Sequence, residues 1–537
     1  MDGIVEQLWT VSSPAVSFCL ISSAESGKEH KLVLLLVGQV GFPAPARRRN
    51  IIVMDEPRYI IIHGHFYQPP RESPWTGLIS PEHGASPFQN WNERILSECY
   101  TANAHAHTMQ GSVVHVRNNY ESLSFDVGPT LAGWLQTHGK TAYRAMTRGD
   151  ALYAAAHGGH GNAIAQSYSH SILPLLPPRD RELQIIWGID DFVFRFGRRP
   201  VGMWLPECAA DNDTLASVAA AGIQFVILAT DQGNFKGAGA ESRSAGPFQW
   251  RNGDLSLAVF RFDRELSNTM SFGDGLTDGA RLAEWIAVTA LNFEPGAALM
   301  IATDGETFGH HSKHGASELA RALKALEERD DVIVTNCEDY LATHPAAGSF
   351  EIPSATSWSC PHGVERWRSN CGCRNEAGTS QEWRKPFREA MDFVKYHAEA
   401  TYDRFAPTLV KDPGAILRDA IRLLIDPNPA VHEETFKRFG VTVEYNREAL
   451  LPMFEMVRAG QAALTSCAWF FDDFGGLEGR VALRWAARAV ELAAEHSASV
   501  ENELLERLRG INSNRRENGD AATLYLSLKS REARGRV

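Results

Sequence analysis

Two stretches of the chain bring together side chains able to move protons and attack carbon. In "IATDGETFGHH" (301–311) the apolar run ends at Asp304, and Glu306, His310 and His311 follow within seven positions. In "WLPECA" (204–209) a second apolar run delivers Glu207. A pair of carboxylates on separate strands suits glycoside cleavage, one ionised and one protonated. Histidines with an aspartate at strand ends could instead hold a divalent ion that activates water. Taken alone, each strand-end carboxylate is better explained as a helix cap.

The elements that must position these groups are legible as alternation. From Tyr59 to about His344, β-rich runs recur between helical patterns: "YIIIHGHF", "SVVHV", "VGMWLPE", "FVILATD", "LAVFRFD", "ALMIATDGE" and "DVIVTN". Several finish on ionisable residues, namely His63 and His65, Glu207, Asp231, Asp263 and Asp304. Repeated βα units build a parallel barrel, whose active groups come from the carboxyl ends of different strands because those ends share one mouth. The expected architecture is α/β, a (β/α)7-type incomplete TIM-like barrel over residues 54–350. Helical periodicity in "REAMDFVKYHAEATYDRF", "GAILRDAIRLLI" and "GRVALRWAARAVELAAEHSASVENELLERL" predicts an α-helical domain over residues 351–537.

Residues 1–53 read as an N-terminal extension, with Arg47, Arg48 and Arg49 shortly before Met54, and Met54 is the expected natural start. The chain has 537 residues, 44% hydrophobic and 22% charged, which is ordinary globular composition. Its net charge of −12 argues against a nucleic-acid partner, since phosphate binding needs a concentrated basic face. The apolar run Leu32 to Phe42 is far shorter than the ~20 residues that cross a bilayer, so no membrane partner is expected. The start lacks a basic leader, and eight cysteines in so long a chain read as thiols of a cytoplasmic protein.

Five stretches, "HGHFYQPP", "GHGNAIAQSYSHSILPLL", "WLPECA", "IATDGETFGHH" and "SWSCPHGVERW", resemble in this order the motif regions of glycoside hydrolase family 57. The resemblance spans roughly residues 54 to 370. It implies a seven-stranded barrel and a retaining hydrolase or transglycosidase acting on α-glucans or related α-glycosides through a covalent glycosyl-enzyme, with an oligo- or polysaccharide substrate and no cofactor or metal. By the same resemblance Glu207 is the nucleophile and Asp304 the acid/base, while His63, His65, Gln68 and His170 contact sugar. Many members carry Glu where Asn162 stands, which puts one substrate contact in question.

Trp204, Trp358 and Trp469 are candidate sugar platforms, because sugar C–H faces pack on aromatic rings, although core packing is the commoner fate of a tryptophan. Trp469 lies in "TSCAWFFDDFGG", a segment expected to fold over the barrel mouth, with Asp472 and Asp473 as a solvated or capping pair. For His63 and His65 a satisfied core pair is the competing reading, and substrate binding is the favoured one. Cys360, His362, Cys371 and Cys373 depart from the usual C-x2-C zinc spacing and are expected to be reduced thiols. Two rival functions remain. One is a metal-dependent deacetylase or α-mannosidase-like enzyme using His63, His65, Asp304, His310, His311 and His314, and the other is a non-catalytic glycan-binding barrel.

Overall fold

The computed structural model describes residues 56–535 except 111 and 498, together with three short antiparallel strands near the N-terminus, Thr10–Ser13, Val16–Leu20 and Leu34–Leu36. Residues 1–56 and 57–537 are separate units. The expectation about Met54 lies outside the described residues.

Seven parallel strands form the barrel in chain order: β1 (Arg58–Phe66), β2 (Ser124–Val127), β3 (Ala163–Gln166), β4 (Gly202–Trp204), β5 (Phe225–Ala229), β6 (Leu255–Phe262) and β7 (Ala298–Asp304). Each pairs with the next as far as β6, and β7 returns to pair with β1. Between β6 and β7 there is no ladder among the described residues, only stitches. Asp263 N–H donates to Met300 O at 2.7 Å, and Ala245 bridges the two by accepting from Arg261 N–H (2.9 Å) and donating to Ala298 O (2.7 Å). An eighth strand, β8 (Val332–Thr335), pairs with the first half of β1 alone.

Five of the seven runs read from the sequence are barrel strands. "SVVHV" is not: Val113–Arg117 forms an exposed antiparallel hairpin with Ala106–Gln110, with Val113, Val114 and Val116 facing solvent. The true second and third strands, "SFDV" and "AIAQ", are four residues long with little β-branched content, and neighbouring strands impose their conformation. β1 and β7 are apolar almost throughout because the barrel covers one face and helices the other.

Behind the sheet the chain becomes helical. α1 (Pro178–Phe196) packs on the barrel, followed in sequence by α2 (Arg264–Phe272), and the long helices α3 (Arg384–Phe405), α4 (Glu444–Ala462) and α5 (Leu477–Ala494) pack on one another. α3 buries Phe387, Met391, Val394, Ala398 and Tyr402, a stripe at spacings of three and four. Leu183 and Trp187 of α1 join Tyr402, Leu417, Leu450 and Phe454 in one apolar cluster, so barrel and helices share a core.

That interface also buries charge. Lys395 of α3 is paired with Asp180 of α1 and lies 3.1 Å from Glu399, whose other oxygen accepts from Gln461 of α4 at 2.8 Å. Removing one member of a buried pair strands the other in low dielectric. Lys395→Ala is therefore expected to destabilise the chain by about 3–5 kcal/mol in chemical denaturation. Lys385→Ala, which breaks only the exposed pair with Glu389, should change stability by less than about 1 kcal/mol.

Candidate active site

Register places the key groups. In-register residues of adjacent parallel strands point the same way, and β7, β1 and β2 align Asp304 with His65 and His65 with Asp126. His63, two residues earlier on the same face, aligns with Ser124 one layer deeper. An aspartate, an imidazole and another aspartate thus form a row across the barrel's carboxyl end.

Hydrogen bonds fix the imidazoles. His65 Nδ1 donates to Asp126 Oδ2 at 2.9 Å, and His65 Nε2 lies 3.2 Å from His170 Nε2. His170 Nδ1 is 2.6 Å from Ser466 Oγ, while His63 Nε2 lies 3.1 Å from Asp126 Oδ1 and its Nδ1 3.0 Å from Ser124 Oγ. Burial alone would lower the pKa of His65, but Asp126, with Asp304 and Glu306, raises it to about 9, so this ring is an imidazolium near neutrality. Burial pushes His63 down despite Asp126. Burial and then repulsion from His65 hold His170 well below its ordinary value. The chain of bonds is consistent with one orientation, in which neutral His170 accepts from His65 and donates to Ser466.

Glu207 follows β4 in a tight 3-10 turn, Pro206–Cys208, with φ of 58° at Glu207 and 47° at Cys208. Left-handed backbone at a non-glycine residue costs of order 1–3 kcal/mol. The loop after Gly348–Glu351 holds the turn: Trp358 N–H donates to Glu207 O at 3.0 Å, and Ala210 and Thr356 exchange backbone bonds of 3.0 and 2.9 Å. The carboxylate oxygen Oε2 then accepts from Trp358 Nε1 (3.0 Å) and Ser359 Oγ (2.7 Å).

Asp304 opens into the same cavity, where its side chain is exposed to the cavity space but surrounded by protein. Desolvation raises its pKa to about 6, aided by Glu207 and Asp126 and opposed by His65. Gly305 has to be glycine, because a Cβ there would stand 2.2 Å from Cδ1 of Phe66. Glu306 turns inward, accepts from Tyr100 OH at 2.6 Å, and is pushed up to about 7 by burial, with Asp304 adding to the rise.

The cavity has a volume of about 720 Å3. His65, Gln68, His170, Glu207, Asp304 and Trp358 all line it. Its far wall comes from the helical region, through Cys467, Phe470, Phe471, Leu477 and Glu478, so "TSCAWFFDDFGG" does lie over the barrel mouth.

Four expectations need correction. His63 is fully buried beneath His65 and supports Asp126 instead of meeting a ligand. Trp204 is fully buried, stacked on His63 and His65 at 5.0 and 4.9 Å. Trp469, one position before the cavity-lining Phe470, points the other way into the helical core, donating to Arg384 O at 3.2 Å and packing on Phe387. Asn162 lies within the barrel core, donating to Tyr120 O (3.2 Å) and accepting from Asn336 (2.9 Å), so its departure from the motif touches no ligand. Two strand-end acids have other tasks: Asp263 caps α2 and pairs with Arg243, and Asp231 pairs with Arg264. Asp472 and Asp473 pin loops, accepting from Asn375 N–H (2.8 Å) and from Ser513 Oγ (2.7 Å).

Sequence reading passed over Asp126, Tyr67 and Ser359, and it noted Glu306 without giving it a role. An aspartate inside the apolar run "SFDV" was the available signal for the first. Tyr67 stacks on His170 at 3.7 Å and bonds Thr465 at 2.6 Å. The histidines proposed as metal ligands do not converge, since His63 and His65 both bind Asp126 and His310 binds Glu98 at 2.6 Å.

Comparison with known proteins agrees with this geometry. Residues 155–353 match glycosyl hydrolase family 57, and residues 380–532 match a domain of unknown function, DUF3536. The matched stretch carries Glu207 and Asp304 and is similar to that family. Alpha-amylase 1 of Dictyoglomus thermophilum is 27% identical over 323 residues, 58% of this chain and 43% of that protein. The 4-alpha-glucanotransferase of Thermococcus litoralis is 22% identical over 209 residues, 37% of this chain and 30% of that protein. The chain therefore spans less than half the length of these curated relatives. Among solved structures, an exo-type maltose-forming amylase from Pyrococcus sp. ST04 superposes with a TM-score of 0.60 at 15% identity, covering 88% of this chain and 82% of that one. A branching enzyme from Pyrococcus horikoshii gives 0.51 at 15% identity, covering 89% and 94%. These superpositions extend the family-57 likeness in fold into the helical region.

Because the folded pKa of His65 exceeds its ordinary value of 6.5, its contribution to stability is complete below about 6.5 and is lost as pH rises through about 9. Asp126→Asn removes the partner, so the imidazole should titrate at lower pH by NMR. The same change should flatten the stability slope between those values and cost about 1.5–3 kcal/mol per charge-assisted hydrogen bond lost.

Proposed function

We propose that the chain is a retaining glycoside hydrolase or transglycosidase acting on α-glucans or related α-glycosides. The observation that carries this reading is the pairing of Glu207 and Asp304 in one cavity, with the Glu207 carboxylate held by two donors and Asp304 raised to about 6. The names of the sequence relatives, an alpha-amylase and a 4-alpha-glucanotransferase, support the substrate class. Trp358, Phe470 and Phe471 offer ring faces to sugar C–H groups, while His65, His170 and Gln68 offer polar partners to hydroxyls.

In the first step a Glu207 oxygen bonds to the anomeric carbon, while Asp304 gives its proton to the leaving oxygen as the glycosidic bond breaks. In the second step ionised Asp304 takes a proton from water or from an acceptor hydroxyl. That oxygen attacks the anomeric carbon and the ester to Glu207 breaks. Water gives hydrolysis and a sugar hydroxyl gives transfer.

Incubation with α-1,4- and α-1,6-glucans should produce new reducing ends or altered chain lengths. Glu207→Gln should abolish both, and Asp304→Asn should lower kcat/KM by about 10²–10⁴-fold. Since Asp304 must be protonated for the first step, kcat/KM should fall as pH rises through about 6. That alkaline limb should vanish in Asp304→Asn assayed with a glycoside whose leaving group needs no proton. Turnover that survives Glu207→Gln would overturn the scheme.

A further inference from the structure

Residues 352–383 connect the last strand of the sheet to α3, and residues 354–379 of this connection fall between the two matched segments, 155–353 and 380–532. Four side chains converge there. The ligand atoms of Cys360, His362, Cys371 and Cys373 all lie within 4.8 Å of one another. Cys360 Sγ is 4.0 Å from Cys371 Sγ and 3.8 Å from Cys373 Sγ, and Cys373 Sγ is 3.5 Å from His362 Nδ1. A disulfide would need sulfurs at about 2.05 Å. A tetrahedral zinc ion, with Zn–S of about 2.3 Å and Zn–N of about 2.0 Å, needs S···S edges of about 3.8 Å and S···N edges of about 3.5 Å. The observed edges fit the second geometry.

The surroundings fit as well. Cys360 is buried, Cys371 and Cys373 are half-buried, and His362 is exposed, which leaves a path for an ion to enter. Arg384 Nη1 donates to Cys373 O at 2.8 Å and Arg366 Nη1 to Ser359 O at 3.2 Å, so the loop backbone is held on both sides of the cluster. Three sulfurs and one imidazole form a closed four-ligand set, the kind that serves structure rather than catalysis.

We propose that Cys360, His362, Cys371 and Cys373 bind one structural Zn2+ ion, the three thiols releasing their protons to solvent and neutral His362 binding through Nδ1. Cys360 directly follows Ser359 and Trp358, the two donors to Glu207. The ion thus clamps the loop that fixes this carboxylate, and that consequence rests on the role proposed for Glu207, whereas the metal site itself does not.

The test is elemental analysis of the full chain, produced with zinc present and dialysed against a weak chelator. One zinc per chain is expected, and Cys371→Ser with Cys373→Ser should lower bound zinc at least about tenfold. Should that variant fail to fold, cobalt exchanged into the unmodified chain gives a separate reading: intense visible bands with sulfur-to-cobalt charge transfer support a tetrahedral thiolate site. Substoichiometric zinc, iron in its place, an octahedral cobalt spectrum or a disulfide among the three cysteines would overturn the proposal. Zinc removal should also lower kcat on α-glucan. Absence of any glucan turnover would count against the proposed function while leaving the zinc reading intact.

Discussion

The barrel mouth holds four carboxylates, those of Asp126, Glu207, Asp304 and Glu306, and unpaired anions in a protein interior cost several kcal/mol each. The two guanidinium groups that line the cavity have partners of their own: Arg71 lies against Glu82 and Glu478, and Arg264 against Asp231. The charge that balances the floor is therefore that of His65. Strand register sets it between Asp304 and Asp126, close enough to ionise against its own burial. Desolvation pushes Asp304 and Glu306 up, neighbouring carboxylates add to the rise, and the single positive charge of His65 only partly opposes it, so they stand at about 6 and about 7. The proton available at the mouth follows from desolvation that one imidazolium does not cancel. His63 and His170, kept neutral by burial, transmit hydrogen bonds without adding to the balance.

Glu207 is placed by a different device. Its left-handed backbone is a local strain that the chain would relax if the turn stood alone. Bonds from Trp358 N–H and the exchange between Ala210 and Thr356 hold the turn from a loop about 150 residues away in sequence. The same loop then supplies both donors to the carboxylate, so backbone restraint and side-chain orientation come from one segment. A change that shifts residues 354–360 would act on the turn and on its carboxylate together.

Much of this was legible in the chain. Apolar runs ending on ionisable residues located five barrel strands and both carboxylates, because a parallel strand buried on both faces reads as continuous hydrophobicity. The two missed strands, Ser124–Val127 and Ala163–Gln166, carry no such signal, and their neighbours make them strands. "SVVHV" has the stronger local propensity and still stands outside the barrel, since propensity says nothing about which face finds a partner. His63 and His65 were a correct pair on one face, but alternation cannot tell the upper layer of a barrel from the lower. Trp469 failed for a related reason: a step of one helical residue turns a side chain by about 100°, which separates a cavity wall from a helical core.

The division of labour between the two matched segments follows from where the cavity walls originate. Glu207 and Asp304 belong to the segment that matches glycosyl hydrolase family 57, whereas Cys467, Phe470, Phe471, Leu477 and Glu478 belong to the segment that matches DUF3536. Acid strength depends on charges within a few ångströms, and the nearest charges to Asp304 are barrel residues. The size and polarity of whatever lies between the carboxylates depend on the opposite wall, where two phenylalanines face the floor and Glu478 ties itself to Arg71 at 3.3 Å. Substituting that wall would redraw the space above the acids while leaving the charges nearest to them in place. Substituting Asp126, which does not line the cavity, would change those charges while leaving its walls in place. The charges that act on the acids and the wall that bounds their space are therefore built from different stretches of the chain.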